Sequence, residues 1–444
     1  MGPSPKRGLR VGVLVVTLLG TSAVRASSSS PPSPAPVTAP VTALLSVASN
    51  GAHGDADSFA PSLSADGSTV AFSSLATNLA APEPVEVVHQ VNVFVRDQRT
   101  GRTVRVSEAP DGTAADGDSG NASLPADGSA VAFESSASNL VPGDTNGAPD
   151  IFVRDRVSGR TTRVSVDSSG AQANEGSFTP SISADGRFVA FASDATALVP
   201  GDHNRHEDVF VHDRRTGRTI LASVASDGRP GNGNSYGPAI SADGRLVAFA
   251  SESTNLVRGD TNGATDIFVH DTQTGRTARV SLASDGAQVG GDALTPSISG
   301  NGRFVAFTTD AGNVDPGDVN GASDVFVHDA ETGRTVLVSA PPGGGPSLRG
   351  SFTPSLSADG RFVAFVTDGA LLADDTNNTE DVYVADRSSG ALRRASVASD
   401  GTGGNGPSLG PSLDRDGSAV AFESLASNLV VADSNGADDV FFHR

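Results

Sequence analysis

Pro180-Ser-Ile-Ser-Ala-Asp-Gly-Arg-Phe-Val-Ala-Phe191 is the stretch that determines the fold, because close copies of it return along the chain. The Val-Ala-Phe ending occurs seven times, at intervals of 57 to 61 residues. A repeat of nearly constant period indicates stacked supersecondary units that cannot bury their apolar faces alone. The phenylalanines that end the copies are Phe72, Phe133, Phe191, Phe249, Phe307, Phe365 and Phe422.

Each copy predicts four short β-strands. In the third copy, Asp185-Gly186 and Thr216-Gly217 provide the positive-φ positions of tight hairpin turns, and β-branched and aromatic residues flank them. No stretch after residue 40 has a helical period, so we predict an all-β fold. The strands expected in this copy are Pro180–Ser183, Phe188–Phe191, Asp208–Asp213 and Thr219–Ser226.

The two ends of the repeat region indicate a closed ring. The seventh copy stops at Arg444, after its third strand. Its missing strand matches Leu44–Ser49, which has the pattern of Leu221–Ser226 in the third copy. Pairing the two ends removes the free sheet edges that an open array would expose. We therefore predict a seven-bladed β-propeller with four antiparallel strands per blade, whose last blade is closed by the N-terminal strand.

Residues 1–26 have the three parts of a bacterial export signal. Basic residues precede the apolar run Val11–Leu19, and Val24-Arg25-Ala26 follows as a cleavage site. The apolar run is shorter than the roughly 20 residues that cross a bilayer. We expect a secreted, extracytoplasmic protein with a signal peptide at 1–26, a Ser/Pro-rich linker at 27–40 and the propeller at 41–444.

The composition excludes several classes of partner and site. The chain has no cysteine, which excludes disulfides, thiolate metal sites and a cysteine nucleophile. With 51 acidic and 31 basic residues its net charge is −20, which repels nucleic acid and anionic lipid. We expect no nucleic acid partner, no membrane insertion and a monomer. The 20 phenylalanines fall at equivalent positions of the copies, which predicts that they form the core.

The repeat also resembles a known family. The segment from Pro180 to Phe191, followed by Asp208-Val-Phe-Val-His-Asp213, is similar to the WD-repeat-like β-propeller repeat of TolB-type proteins. The resemblance covers nearly all of residues 41–444. It implies a β-propeller that binds or scaffolds outside the cytoplasm, and in some relatives such propellers gate a separate hydrolase domain.

A second pattern, Asp-x-Asn-x-x-x-Asp, lies in the long loop between the second and third strands of six copies, whereas the first copy has Ala81-Pro-Glu-Pro-Val85 there. Two interpretations are open. Asp and Asn beside Gly are ordinary capping residues of turns, but two carboxylates and an amide also offer the hard oxygen ligands that Ca²⁺ prefers. The candidate ligands are Asp144, Asn146, Asp150, Asp202, Asn204, Asp208, Asp260, Asn262, Asp266, Asp318, Asn320, Asp324, Asp375, Asn377, Asp381, Asp433, Asn435 and Asp439.

Other residues resemble catalytic or metal sites. Ser119 and Ser235 lie in segments similar to hydrolase nucleophile motifs, but equivalent serines recur in six copies, which indicates a structural role. The segment Asp202–Asp208 contains His203 and His206 and has the ligand types of a transition-metal site. We predict no catalytic residue. Four further histidines lie on third strands of different blades, too far apart to share zinc, and we expect them to pack between blades: His212, His270, His328 and His443.

Charge placement predicts two different rims for the disc. The long loops bring the Asp-x-Asn motifs to one rim, and the tight turns bring arginines such as Arg187 and Arg218 to the other. We therefore expect one acidic rim and one arginine-rich rim.

The function that these patterns favour is a secreted, non-enzymatic β-propeller that acts as a binding scaffold for a protein or a small ligand. Calcium would stabilise it if the long loops bind that ion. Two alternatives stay open. One is a metal-dependent propeller enzyme of the lyase or lactonase type, with its metal over the central channel. The other is a structural or adhesive protein of the cell envelope.

Overall fold

Seven four-stranded sheets form the part of the chain that the computed structural model describes, which is residues 40–80, 90–345, 347 and 349–444. The expected signal peptide, nearly all of the linker and the Ala81–Val85 loop lie outside this part. Within it there is no helix long and apolar enough to cross a membrane.

The strands are short, and most have six residues. In chain order they are β1 (Thr42–Leu44), β2 (Ser58–Leu63), β3 (Thr69–Ser74), β4 (Asn92–Asp97), β5 (Arg102–Arg105), β6 (Ser119–Ser123), β7 (Ala130–Ser135), β8 (Asp150–Asp155), β9 (Thr161–Arg163), β10 (Ser177–Ile182), β11 (Phe188–Ser193), β12 (Asp208–Asp213), β13 (Arg218–Leu221), β14 (Ser235–Ile240), β15 (Leu246–Ser251), β16 (Asp266–Asp271), β17 (Arg276–Arg279), β18 (Ala293–Ile298), β19 (Phe304–Thr309), β20 (Asp324–Asp329), β21 (Arg334–Leu337), β22 (Ser351–Leu356), β23 (Phe362–Thr367), β24 (Asp381–Asp386), β25 (Ala391–Arg394), β26 (Ser408–Leu413), β27 (Val420–Ser424) and β28 (Asp439–His443).

The strands pair in the order that the repeat predicts. Strands β2 to β5 form blade 1, each following set of four forms the next blade, and β22 to β25 form blade 6. Neighbouring strands are antiparallel, and the first strand of each blade lies nearest the first strands of the adjacent blades. This arrangement confirms a seven-bladed propeller whose first strands surround a central channel.

Blade 7 is closed by the two ends of the chain, as predicted. Strand β1 pairs antiparallel with β28, so that Thr42 lies opposite His443. The closing strand nevertheless ends at Leu44, whereas the sequence comparison placed it at Leu44–Ser49. The residues after Leu44 turn instead, with the N–H of Ala48 bonded to the carbonyl of Ala52 (2.8 Å). Fourth strands elsewhere end equally early, as β13 shows.

A ring of backbone hydrogen bonds also joins the blades around the channel. In six of the seven tight turns after a first strand, an N–H donates to a carbonyl of the next blade, as from Ala65 to Ala126 (3.0 Å) and from Arg415 back to Ala65 (2.9 Å). The Ser-Leu/Ile-Ser copies supply a second set, because Ser412 Oγ accepts the N–H of Leu63 in the adjacent blade (3.0 Å). These serines therefore hold neighbouring blades together.

The core lies between adjacent blades and is aromatic. In every blade a ring of the second strand packs beside a ring of the third, as Phe191 packs beside Phe210 with 5.9 Å between centroids. The prediction that all phenylalanines are core residues is wrong for the first strands, where Phe352 is 38% exposed. A β-bulge after Phe352, with Thr353 at φ 47°, resets the alternation of the strand and turns that ring outward.

Candidate functional site

The Asp-x-Asn-x-x-x-Asp loops have the same internal bonding in the six blades that carry the motif. In blade 3, buried Asp208 accepts hydrogen bonds from Ser223 Oγ (2.5 Å) and Asn204 Nδ2 (2.6 Å). Asn204 also donates to Gly231 O (3.1 Å) and accepts from the N–H of His206 (3.0 Å). The Asn and the second Asp therefore cap the loop. The equivalent pairs are Asn146–Asp150, Asn262–Asp266, Asn320–Asp324, Asn377–Asp381 and Asn435–Asp439.

In blades 2, 4 and 6, which we call the arginine blades, an arginine of the fourth strand contacts both aspartates of the loop. Arg279 Nη1 lies 3.2 Å from Asp260 Oδ1 and 2.9 Å from Asp266 Oδ2, and none of the three side chains is more than 8% exposed. Arg163 and Arg394 occupy the same position in the other two blades. Each guanidinium therefore neutralises charge that would otherwise be buried without a cation.

In blades 3, 5 and 7, which we call the leucine blades, the fourth strand has Leu221, Leu337 or Leu44 at that position. The first aspartate of the motif then has no arginine beside it, and in blades 3 and 5 it is buried. Asp202 is 1% exposed and Asp318 is 4% exposed. Among the described residues, Asp202 Oδ1 and both carboxylate oxygens of Asp318 have no hydrogen-bond partner. The oxygens of Asp260 in blade 4 also have none, but Arg279 lies beside them.

Burial raises the pKa of some aspartates in these loops. In blade 3 the pKa of Asp208 rises to about 6, because burial and, to a smaller extent, the Asp202 carboxylate outweigh the hydrogen bonds that the side chain accepts. Burial likewise raises the pKa of Asp324 in blade 5. It also raises the pKa of Asp150, but there Arg163 opposes the effect. The leucine blades thus hold negative charge that no arginine offsets.

The four third-strand histidines pack between blades, as expected, and do not meet. His443 Nδ1 lies 2.9 Å from Thr42 Oγ1, and the other three bond to the equivalent threonines of their own blades. Burial lowers the pKa of His443 to about 4. His206 Nδ1 contacts Asn234 Oδ1 at 3.3 Å. In the described part of the chain no three side chains of His, Cys, Asp or Glu form a cluster suited to a metal ion.

The serines of the two hydrolase-like segments have structural partners. Ser119 Oγ lies 2.8 Å from Ser135 Oγ, and Ser235 Oγ lies 2.8 Å from Ser251 Oγ, each pair buried across two strands. The same pairing recurs in three other blades. These hydroxyls therefore crosslink the first and second strands.

At the rim of tight turns, aspartates offset part of the arginine charge that the sequence predicts there, whereas Arg218 is exposed. Arg187 binds Asp213 of the same rim through two nitrogens, with Nη2 2.6 Å from Oδ2, and these bonds hold the pKa of Asp213 well below its usual range. Because an aspartate ends each of these third strands, it offsets the arginine beside it. The equivalent pairs are Arg245–Asp271, Arg303–Asp329 and Arg361–Asp386.

Five of the seven junctions between blades are joined by the same hydrogen bonds. Between blades 2 and 3, Thr219 N–H donates to Ser168 Oγ (3.0 Å), which donates to Thr219 O (3.3 Å). Thr219 Oγ1 also donates to Val166 O (2.5 Å). Together these bonds cover the outer edge of the fourth strand. The other Ser–Thr pairs are Ser49–Thr103, Ser226–Thr277, Ser284–Thr335 and Ser399–Thr42.

The junction between blades 5 and 6 lacks all of these bonds, and we call it the open junction. Pro342 stands where the serine would be, Leu392 replaces the threonine and Ala385 replaces the histidine. By equivalence with Thr219, the N–H and C=O of Leu392 point outward from edge strand β25. Within the described ranges nothing bonds these two groups or the carbonyl of Ala340.

Blades 1 and 2 meet at an intermediate case. Pro110 also replaces the serine there, but Arg154 crosses the junction to Glu108 (3.5 Å). A bridge between Glu108 and Ala114 keeps the connecting turn against the blade. The open junction differs from this one because Leu392 also replaces the threonine there.

A groove of about 740 Å³ lies at the open junction. Val336, Val338 and Leu392 contribute apolar surface, and Asp386 and Arg387 lie at its charged end. This volume falls in the range of ligand-binding pockets. The sequence analysis missed this site, although three replacements at one junction of an otherwise regular repeat could have indicated it.

The central channel widens at the rim of tight turns into a cavity of about 870 Å³. Its wall is mostly aliphatic, with Leu63, Leu124 and Ile182 from successive blades, and Asp359 and Asp416 lie at the same end. Repetition of one aliphatic position around the wall gives this cavity a ring-like lining.

Comparison with known proteins supports the architecture. No model of a protein family matches the chain, and no curated protein matches it. An oligogalacturonate lyase in complex with manganese has a TM-score of 0.53 at 13% identity, covering 90% of this chain and 92% of that one. The β-propeller domain of the trilobed protease from Pyrococcus furiosus has a TM-score of 0.53 at 10% identity, covering 87% and 93%. At these identities the similarity shows the fold alone.

Solved structures of TolB-type proteins are also among the matches. TolB from Acinetobacter baumannii has 16% identity and a TM-score of 0.40, over 68% of this chain. The chain spans only 58% of the length of that TolB. What the structural comparisons establish is thus a propeller with both TolB-type proteins and enzymes among its structural neighbours.

Proposed function

We propose that this protein is a non-enzymatic binding scaffold, exported from a bacterial cell, which holds an extended segment of a partner protein at the open junction. The resemblance of its repeat to the TolB-type repeat implies the same general role. The observation that carries the proposal is the uncovered edge of β25 at Leu392, in a molecule that covers the equivalent edge at five other junctions.

An uncovered strand edge is a template for another strand. An extended peptide can pair with the outward N–H and C=O of Leu392, and each such hydrogen bond contributes about 0.5–1.5 kcal/mol. Alternate side chains of the peptide would then face the apolar surface around Val336 and Val338. Main-chain bonds provide affinity in this mode, and the groove selects the side chains.

The charge of the chain indicates which partners approach it fastest. A net charge of −20 favours association with a basic protein and disfavours acidic ones. The paired charges of Asp386 and Arg361 at the adjacent rim leave the groove without a strong local field of its own. We therefore expect attraction to be general and recognition to be confined to the groove.

Photo-crosslinking tests the proposal. Benzoylphenylalanine replaces Ala391, an exposed residue that lines the groove beside Leu392, and in a matched control it replaces Arg276, the exposed first residue of β17 at a covered junction. In the native extracytoplasmic fraction we expect Ala391 to capture one protein through a defined segment. A synthetic peptide of that segment should bind the wild type and lose binding in the double variant Pro342→Ser/Leu392→Thr. Equal capture at both positions, or none, contradicts the proposal and favours a structural role.

A further inference from the structure

We propose that leucine blades 3 and 5 each bind one divalent cation of the Ca²⁺ class at the long loop, and that the arginine of each arginine blade occupies the place of that cation. The two sites comprise Asp202, Asn204 and Asp208 in blade 3 and Asp318, Asn320 and Asp324 in blade 5. In blade 7 the first aspartate, Asp433, is partly exposed, and we propose no site there. This inference does not depend on the proposed partner site.

The first argument is that the two kinds of blade share the aspartates and their partners but differ in charge at one position of the fourth strand. Both kinds have a serine hydroxyl on the second aspartate, and both have an Asn that bonds the same aspartate and a main-chain carbonyl. At the fourth strand Arg279 of blade 4 is replaced by Leu337 in blade 5. A positive charge is therefore exchanged for an apolar group while its two carboxylates remain.

The second argument is that the first aspartate of blades 3 and 5 is buried without a counter-charge. Asp318 is 4% exposed and none of its oxygens is bonded within the described part of the chain, and Asp202 Oδ1 is in the same state. A buried ionised carboxylate without a counter-charge is strongly unfavourable. In blade 4 the equivalent Asp260 has a guanidinium at 3.2 Å. A bound cation would give Asp318 and Asp202 the same compensation.

The third argument is the chemistry of the donors. Two carboxylates, an amide oxygen and main-chain carbonyls are hard oxygen ligands, which suit Ca²⁺ and supply two negative charges for its two positive charges. Zinc and copper prefer nitrogen and sulfur ligands. The first loop aspartates of blades 7 and 3 each have a histidine as a charged neighbour, His53 for Asp433 and His203 for Asp202. The charged neighbour of Asp318 in blade 5 is Asp315. Blade 5 is therefore the simplest case.

Calcium titration of the full chain tests the inference. After removal of metal by a chelator, isothermal titration with CaCl₂ should give two bound ions per chain. Leu337→Arg should reduce the number to one, and the matched control Leu337→Met should leave it at two. Absence of binding at millimolar CaCl₂, or six bound ions, would overturn the proposal, since six would mean that arginine does not replace the cation.

A second variant protects the test against a misfolded protein. Leu221→Arg makes the same exchange in blade 3 and should also give one ion, and the double variant should give none. If both single variants fold, as shown by unchanged circular dichroism, and still bind two ions, the proposal is wrong. Crosslinking at Ala391 should be unaffected throughout, so failure of the cation sites is distinguishable from failure of the partner site.

Discussion

Replacing Arg279 by leucine would convert an arginine blade into a leucine blade. Arg279 Nη1 contacts Asp260 and Asp266 at 3.2 and 2.9 Å and also donates to Gln288 Oε1 at 2.9 Å. Removing one member of a buried ion pair typically costs about 3–5 kcal/mol, because the remaining charge is left uncompensated. With an unfolding entropy of about 2.1 cal/mol/K per residue, that cost lowers Tm by about 4–6 °C for a propeller of this size.

Calcium should reverse this loss. A ligand that binds only the folded state at 1,000 times its Kd adds about 4.1 kcal/mol, close to the whole cost of the substitution. Differential scanning calorimetry with chelator measures the loss of stability, and with excess CaCl₂ it measures the recovery. The control is Arg276→Leu at an exposed neighbour on β17, which should change stability by less than about 0.5 kcal/mol. If Arg279→Leu melts like the wild type without calcium, or stays destabilised in saturating calcium, the exchange of arginine for a cation is refuted.

Three other perturbations follow from particular contacts. Burial lowers the pKa of His443 to about 4, whereas an unfolded histidine titrates near 6.5. At this site the unfolded chain binds more protons between these values, so the contribution of His443 to the free energy of unfolding should fall by about 3 kcal/mol as pH drops from 6.5 to 4. His443→Ala should remove this contribution from the pH dependence measured by urea denaturation, and an unchanged pH dependence would contradict the assignment. Pro342→Ser/Leu392→Thr should rebuild the covered junction and raise the free energy of unfolding by about 1–3 kcal/mol through two new hydrogen bonds. It should also slow hydrogen exchange of the amide at residue 392. Exchange as fast as in the wild type would show that no bond formed. Blade 4 alone lacks the first-strand serine that accepts an N–H from the next blade, here that of Ile298, so Ala239→Ser should stabilise the protein by about 0.5–1.5 kcal/mol. Ala239→Thr is a bulkier comparison. A melting temperature of Ala239→Ser no higher than that of the wild type would argue against the bond.

The architecture could be predicted because the repeat reports it directly. Seven copies of Val-Ala-Phe gave the number of blades, and the match between Leu44–Ser49 and Leu221–Ser226 located the closure. The boundary of the closing strand was wrong, since the matched residues form the turn after the strand. The outward turn of Phe352 was also missed, because a bulge changes which side of a strand faces the core and leaves no mark in the alternation of residue types.

The sites could be predicted only in part. The Asp-x-Asn-x-x-x-Asp pattern identified the right loops, but the residue that separates arginine from leucine blades lies on the fourth strand, so Arg279 and Asp260 come together only through the pairing of strands. Recognition of the open junction also needs the structure. Leu392 and Thr219 occupy equivalent positions on fourth strands, and only the paired strands show that their N–H and C=O groups face outward.

Closure by β1 and β28 has a consequence for the order in which the molecule is made. Thr42 and His443, which contact each other, are 401 residues apart, so the first strand to emerge during synthesis has no partner until the last few residues follow it. Six blades can assemble from local hairpins while the seventh waits, and the entropy of joining such distant segments makes that step slow. A chain without β28 would leave β1 and β27 with unpaired edges, and proteolytic removal of β28 should do the same. Closure of the seventh blade thus depends on two segments at opposite ends of the repeat region.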